Sequence, residues 1–367
     1  DDLISGRSTF GEILEDWGLW IDAEDLNYTG FWTTPKFSPV RFKTQFFIAE
    51  CPTKQEPYEA ISEMQNIEFI TPNDALKLWE RGEILISPPV LISLQELSKV
   101  QSQRSKVVVE NLLEQSNKFD GIIDYLELNS RHIVIPLKTP TLPPATHTNC
   151  FIVGRKEFIV IDAASAEIEE QKKLHNLVDE LIERGGVCKE IIVSHLHNDH
   201  HGGEVALQNH LKNKGFDVPL STHKLTAEKL THIKFDKFIE DGDVYNLQNE
   251  TGEVFQLQTL HTPGHARGLL NFYDEEFGLL LSTDNVVGAG TVVIAPPEGD
   301  MQAYLNTLEG LKNLPNLKHL CGSHGSAIFD AKGKIKEYIS HRLEREKQII
   351  ETIKQGAKTP EEIVEKI

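Results

Sequence analysis

The apolar positions of the chain alternate between two spacings, and the switches between them set the order of its elements. Short runs rich in aromatic and β-branched residues, at Phe42 to Ala49, His132 to Pro136, Cys150 to Val153 and Phe158 to Asp162, predict strands, the last two joined across Gly154-Arg155-Lys156 as a hairpin. Leu174, Leu177, Val178, Leu181 and Ile182 then recur at the spacing of one helix face, and Gly185-Gly186 ends that helix. Strand Ile191 to Val193 follows. Strand-like runs return at Val254 to Leu260, Leu269 to Tyr273, Leu279 to Ser282 and Lys318 to Leu320, with a helix over Ala303 to Leu311 between the last two. A long helix is predicted from Ala331 to Ile353, with Ile335, Ile339, Leu343, Ile350 and Ile353 as its buried stripe. Thr359-Pro360-Glu361-Glu362 has the form of a capping box with Pro at the first helical position, and opens one more helix.

Upstream, Thr71-Pro72 and Ser87-Pro88-Pro89 each start a short helix, while the polar stretch from Ser98 to Asn129, with one amphipathic run over Val107 to Leu113, reads as a connector. The expected organisation is therefore an N-terminal module over 1–100, a connecting segment over 101–130, an α+β domain over 131–335 and a C-terminal helical segment over 336–367.

Composition narrows the function. The longest apolar runs, such as Phe158 to Ile161 and Gly278 to Leu281, fall far short of the roughly 20 residues of a membrane span. Cys51, Cys150, Cys188 and Cys321 show no paired spacing, which suits a reducing cytoplasm. A net charge of −19 opposes charge-driven binding of nucleic acid.

The densest chemistry lies in Ser194-His195-Leu196-His197-Asn198-Asp199-His200-His201-Gly202-Gly203. A strand-to-loop turn carrying His-x-His can aim two imidazoles at one metal, and an Asp and a His two and three residues later can reach a second. Gly202-Gly203 lets the backbone pass close to that site. His265, Asp284 and His324 stand at or just beyond the ends of later strands. Side by side, those strands would bring their ends to one sheet edge, where sites commonly form.

These residues resemble the metallo-β-lactamase superfamily, whose HxHxDH signature is matched from His195 to His200, and whose later His, bridging Asp and final His correspond to His265, Asp284 and His324. The resemblance spans about Arg131 to Ile353. It implies a four-layer αββα sandwich with two metal ions, one on His195, His197 and His265, the other on Asp199, His200 and His324, with Asp284 shared. Thr148 to Gly154 and Ile339-Ser340-His341-Arg342 are similar to a branch with a C-terminal winged helix, which includes endoribonucleases and is similar to glyoxalase II. The final His here follows Gly322-Ser323 where Pro-Gly is usual, and Ala163-Ala164 follow Asp162 where glycine is common. Asp162 is expected behind the ligands as a hydrogen-bond partner of one of them. Imidazole and carboxylate ligands suit zinc, with iron or manganese as alternatives. A hydroxide between two such metals would attack a carbonyl or a phosphorus, with Asp199 binding metal and orienting the nucleophile.

Gly11-Glu12-Ile13-Leu14-Glu15-Asp16-Trp17-Gly18-Leu19 resembles the second half of a Nudix box, and the stretch from Phe31 to Pro89 is similar to the coenzyme A diphosphatase type. The resemblance makes Glu15 and Asp16 candidate Mg²⁺ ligands. Gly11 stands at the arginine position and Leu3 where an upstream Glu belongs, which implies a degenerate or truncated module.

The leading expectation is a dinuclear hydrolase of a small anionic ester, thioester or lactone. A metal-dependent endoribonuclease or phosphodiesterase acting on RNA is the alternative, followed by an iron-dependent persulfide oxygenase and a non-catalytic scaffold. The basic stretch after His324 supplies Lys334, His341 and Arg342 as candidate substrate contacts, set against the reading of a solvated helix face.

Overall fold

The computed structural model describes residues 2, 3, 5–38, 40–50, 67–99 and 106–366, and the chain divides into two compact units, Asp1–Asn129 and Ser130–Ile367. Cys51 and residues 100–105 of the expected connector lie outside the described residues.

The first unit opens with α1 (Phe10–Asp16), whose capping box is complete: Thr9 Oγ1 accepts from Glu12 N, and Glu12 Oε2 accepts from Thr9 N at 2.7 Å. Nothing in α1 is buried, so Glu15 and Asp16 stand in solvent. Strands β1 (Asn27–Thr33) and β2 (Lys43–Ile48) pair antiparallel. Helices α2 (Pro72–Glu80), α3 (Pro88–Ser98) and α4 (Lys106–Lys118) and the short β3 (Leu126–Glu127) complete the unit. The expected connector is not a loose tether there. Ser116 Oγ on α4 donates to Phe31 O and accepts from Phe31 N, and a Cβ on Gly30 would lie 2.5 Å from Ser116 Cβ. The polar surface of α4 hides in the sequence the buried side carrying Val108, Leu112 and Ser116.

The second unit runs β4 (His132–Lys138), β5 (His147–Gly154), β6 (Glu157–Ile161), α5 (Ile168–Glu183), β7 (Val187–Val193), α6 (Glu204–Asn213), β8 (Leu220–His223), α7 (Lys224–Ala227) and β9 (Lys237–Ile239). It continues with β10 (Val244–Gln248), β11 (Val254–His261), β12 (Leu270–Asp274), β13 (Leu279–Thr283), α8 (Met301–Lys312), β14 (His319–Gly322), α9 (Ala331–Lys354) and α10 (Pro360–Val364). Its strands lie in two sheets ordered β4-β5-β6-β7-β8-β9 and β10-β11-β12-β13-β14. The first turns parallel from β6 onward, and the second is antiparallel except for β13 against β14.

Every residue of β12 and β13 is buried, which requires cover on both faces. Helices α8 and α9 cover one face through a cluster containing Tyr273, Leu280, Tyr304, Leu308, Leu320 and Ile335. The other sheet covers the opposite face: Tyr245 OH on β10 donates to Glu190 on β7, and Gln248 N donates to Glu157 on β6. Helices α5 and α6 pack on the outside of the first sheet. The result is helix, sheet, sheet, helix, in which each fully buried Leu or Ile contributes about 1.5–3 kcal/mol relative to exposure.

Two expectations about α9 need correction. The helix runs unbroken from Ala331 to Lys354, so the boundary expected between residues 335 and 336 falls inside it. The predicted stripe is buried only at its start. Ala331, Ile335 and Tyr338 reach the core, whereas Leu343, Ile350 and Ile353 are exposed, because the sheet and α8 cover only the first half of the helix.

Candidate metal centre

His195, His197, Asp199 and His200 follow β7 as its C-terminal end enters the loop to α6. His265 lies between β11 and β12, Asp284 directly follows β13, and His324 follows β14. Because β13 and β14 are parallel, their C-terminal ends lie side by side and deliver Asp284 and His324 to the same edge. Leu270 N donates to Ser194 O, which ties the loop of His265 to the end of β7.

Seven side chains thereby converge. His197 Nδ1 lies 3.0 Å from His195 Nε2 and 2.8 Å from His265 Nε2. Asp284 Oδ2 is 3.4 Å from His200 Nε2 and 3.5 Å from His265 Nε2, while Asp284 Oδ1 is 3.4 Å from His324 Nε2. Asp199 Oδ2 is 3.4 Å from His324 Nε2. Such nitrogen–oxygen separations exceed the usual hydrogen-bond range of about 2.7–3.2 Å. They approach the edge, about 3.3 Å, of a tetrahedron with ligands about 2.0–2.1 Å from its centre. His195, His197 and His265 form one group that could hold an ion; His195, His200 and Asp284 a second; Asp199, His200 and His324 a third. Buried His200 Nε2 and Asp284 Oδ1 have no hydrogen-bond partner, although such groups are normally satisfied.

The outward ring nitrogens explain which atoms face inward. His265 Nδ1 lies 2.7 Å from Val293 O, and His324 Nδ1 lies 3.0 Å from His147 O. A carbonyl oxygen only accepts, so both rings carry hydrogen on Nδ1 and present Nε2 to the site. His200 Nδ1 donates to Asp162 Oδ2 at 2.8 Å. Ser194 Oγ gives its own hydrogen to Asp162 Oδ2 and so accepts from His195 Nδ1 at 3.0 Å. Asp162 is the hub of this arrangement, accepting from Ser194 N as well, and it holds a left-handed φ of 57° that a non-glycine residue rarely adopts.

The electrostatics divide the imidazoles. Burial holds His195 well below the ordinary imidazole range and takes His197 down to about 4. Burial also opposes charge on His200 and His324, but carboxylates prevail. Asp284 and Asp162 raise His200 well above its usual value, and Asp199 and Asp284 raise His324 to about 9. Conversely, Asp199 and Asp284 are held below the usual carboxylate range despite burial, Asp199 chiefly by His324 and Asp284 chiefly by His200. The pocket attracts positive charge to the space between these rings and carboxylates.

A cleft of about 480 Å³ opens over His197, Asp199, His265, Asp284 and His324. Its walls are the turn 140–145, with Leu142 and three prolines, and the segment 287–295, with Val287, Val292 and Val293. Among the described residues no lysine or arginine lines it. Lys334, His341 and Arg342 are not in this cleft, contrary to expectation. They border a separate cavity of about 150 Å³ behind Gly290 and Thr291, because α9 packs on the outer face of the second sheet. Lys334 Nζ is engaged by Glu337 at 2.8 Å. Sequence reasoning missed Ser194, Val293 and the 140–145 turn. Ser194 opens the histidine run and was legible there; Val293 acts through its backbone carbonyl, which no side-chain pattern reveals.

Residues 143–324 match the family model described as Metallo-beta-lactamase superfamily. The chain is 26% identical over 209 residues to the "Beta-lactamase-like protein 2 homolog" of Caenorhabditis elegans, covering 57% of this chain and 66% of that one. It is 28% identical over 218 residues to an "Atrochrysone carboxyl ACP thioesterase" of Pseudocercospora fijiensis, covering 58% of each. The chain thus spans less than two thirds of the length of either curated relative. A beta-lactamase domain protein from Burkholderia ambifaria superimposes with a TM-score of 0.52 at 14% identity, over 61% of this chain and 78% of that one, a likeness of fold.

Proposed function

We propose, from a chain whose residues 143–324 match the metallo-β-lactamase superfamily model, that this protein is a dinuclear metallo-hydrolase of small thioesters. In this reading His195, His197 and His265 hold one ion, Asp199, His200 and His324 hold the other, and Asp284 lies between them. The observation that carries it is the set of four imidazoles whose outward nitrogens are each satisfied by an acceptor, leaving their Nε2 atoms turned toward Asp284. Zinc suits these ligands, and iron or manganese would fit the same donors.

Bound divalent cations would supply Lewis acidity toward an acyl carbonyl and acidify the attacking water. The chain's own residues do the rest. Asp162 and Ser194 fix the tautomers of His200 and His195; the carbonyls of Val293 and His147 fix those of His265 and His324. Asp199, beside the cleft, orients the water by accepting its hydrogen bond.

The acyl part follows from the cleft, and the leaving group from thiol acidity. A thiolate, with a thiol pKa of about 8.5, departs without a proton, whereas an alkoxide needs one. Walls of proline, leucine and valine, with no lysine or arginine among the described residues, suit an uncharged acyl group rather than the anionic substrate or RNA expected from the basic stretch on α9. The thioesterase name carried by one relative agrees with this choice.

Protein purified with metal supplied is expected to contain about two ions per chain, and to hydrolyse neutral acyl thioesters at a rate that Asp199→Asn lowers by more than about 100-fold. At most one ion by elemental analysis would overturn the dinuclear assignment. RNA cleavage lost in Asp199→Asn, with no thioester turnover, would overturn the substrate class.

A further inference from the structure

One backbone segment, residues 285–293, touches the surroundings of three of the seven converging side chains. It leaves Asp284 directly. Gly288 N and Ala289 N donate to His324 O at 2.7 and 3.1 Å, and Val293 O receives His265 Nδ1. Such a loop has soft dihedrals, and an error in its path would turn the His265 ring or shift His324. Its shape is fixed from outside the site.

Three side chains of the outer helical layer grip its main chain. Tyr304 OH on α8 donates to Asn285 O at 2.6 Å. Tyr338 OH on α9 donates to Val287 O and accepts from Val287 N. One turn further along α9, Arg342 Nη2 donates to Val292 O and lies 3.4 Å from Thr291 Oγ1. The Arg342 guanidinium also sits 5.8 Å from the centre of the Tyr304 ring. Arg342 therefore holds the carbonyl next to the one that orients His265. The Val292 side chain is buried in the core between sheet and helices, so the segment is pinned by packing at the same residue.

We infer that Arg342 is a positioning residue for the metal centre: by holding Val292 O it keeps Val293 O against His265 Nδ1, and so keeps His265 Nε2 aimed at the site. The inference rests on the dinuclear reading above, but it gives Arg342 a role that is neither substrate contact nor solvated helix face. Nη2 suits the task because its two hydrogens can serve both acceptors on the one loop.

Metal-stripped full-length protein, titrated with zinc against a chromophoric chelator, tests it. Arg342→Met is expected to weaken one of two zinc sites by about 10-fold or more, comparable to other losses of groups that orient ligands, and to leave the second near wild type. Arg342→Lys should recover part of the loss. Lys336→Met, which removes an exposed positive charge from the same helix, should bind zinc as wild type does, separating positioning from the general field. In two-dimensional NMR of the metal-free protein, His265 should show a fixed Nδ1–H tautomer in wild type and a mixture of tautomers in Arg342→Met. That spectrum reads the inference even if turnover is lost for other reasons, and matched thermal unfolding identifies a variant that has merely failed to fold. Wild-type zinc affinity at both sites together with an unchanged His265 tautomer in Arg342→Met would overturn the inference; a raised KM alone would return Arg342 to the substrate. Failure of the wild-type protein to bind zinc or another divalent ion would instead sink the dinuclear reading.

Discussion

At the scale of single residues, the burial of charge decides more than its count. Asp162 accepts three hydrogen bonds in the core, and each fixes an atom of the His/Asp cluster or of the strand end that presents it. A second buried carboxylate, Asp274, lies beside Arg131 and His132. Burial raises it to about 6, and Arg131, with Nη1 at 3.5 Å, offsets only part of that cost. Its neighbour His132, Nε2 3.7 Å away, is held down to about 3 by burial and by Arg131 and Arg155. The signs follow from proton binding. For Asp274 the folded pKa is raised, so its contribution is fully present below about 3.8 and is lost as pH rises through about 6. For His132 the folded pKa is lowered, so stability is lost as pH falls from about 6.5 toward about 3. Between about 4 and 6 the two oppose each other. Asp274→Asn removes one of them and should uncover the other. The stability advantage of wild type over the variant, measured by urea unfolding, should grow as pH falls from 7 to 4, by at most about 3 kcal/mol. A difference that is constant or shrinks over that range would contradict the assignment.

Elements matter here for what their ends deliver and what their faces press upon. The loop bearing His265 is pressed by α8: a Cβ on Gly264 would lie 2.3 Å from Tyr304 Cα, and Gly264 holds φ at 138°. Asp300 N, at the start of α8, donates to Gly264 O at 2.8 Å, so helix and loop are also bonded. Gly264→Ala must push α8 outward or twist the loop away from the site. We expect a loss of about 1–3 kcal/mol in unfolding free energy together with weakened zinc binding, read by chemical denaturation and chelator competition. A variant as stable as wild type and with full zinc affinity would show that the close approach does not constrain the site.

For the whole molecule, the net charge of −19 and a cleft lined by no lysine or arginine among the described residues act together. An anionic substrate meets repulsion at long range, and among the described residues no lysine or arginine of the cleft lining offsets it; salt screens that repulsion. Raising ionic strength should therefore increase kcat/KM for a thioester with a carboxylate on its acyl group, and leave that for a neutral acyl thioester nearly unchanged. A fall in kcat/KM with salt for the anionic substrate would reveal an attractive patch that the cleft lining does not include.

What was legible in the sequence is what local chemistry dictates. Period-2 and helical runs located most strands and helices of the second unit, and His195 to His200 could be read as a ligand cluster because those residues are neighbours along one loop. His265, Asp284 and His324 were legible at strand ends, since sheet edges gather such ends. Three things only the tertiary structure decided. It turned α4 from connector into core, because amphipathicity shows that a helix has a buried face but not what covers it. It left the second half of the α9 stripe in solvent, since the sheet beneath stops short of it. It also placed Lys334, His341 and Arg342 behind the wall of the cleft instead of inside it. Adjacency in sequence to His324 could not settle that, because α9 leaves the site across the outer face of the sheet, and which side of a segment a charge meets depends on how the layers pack.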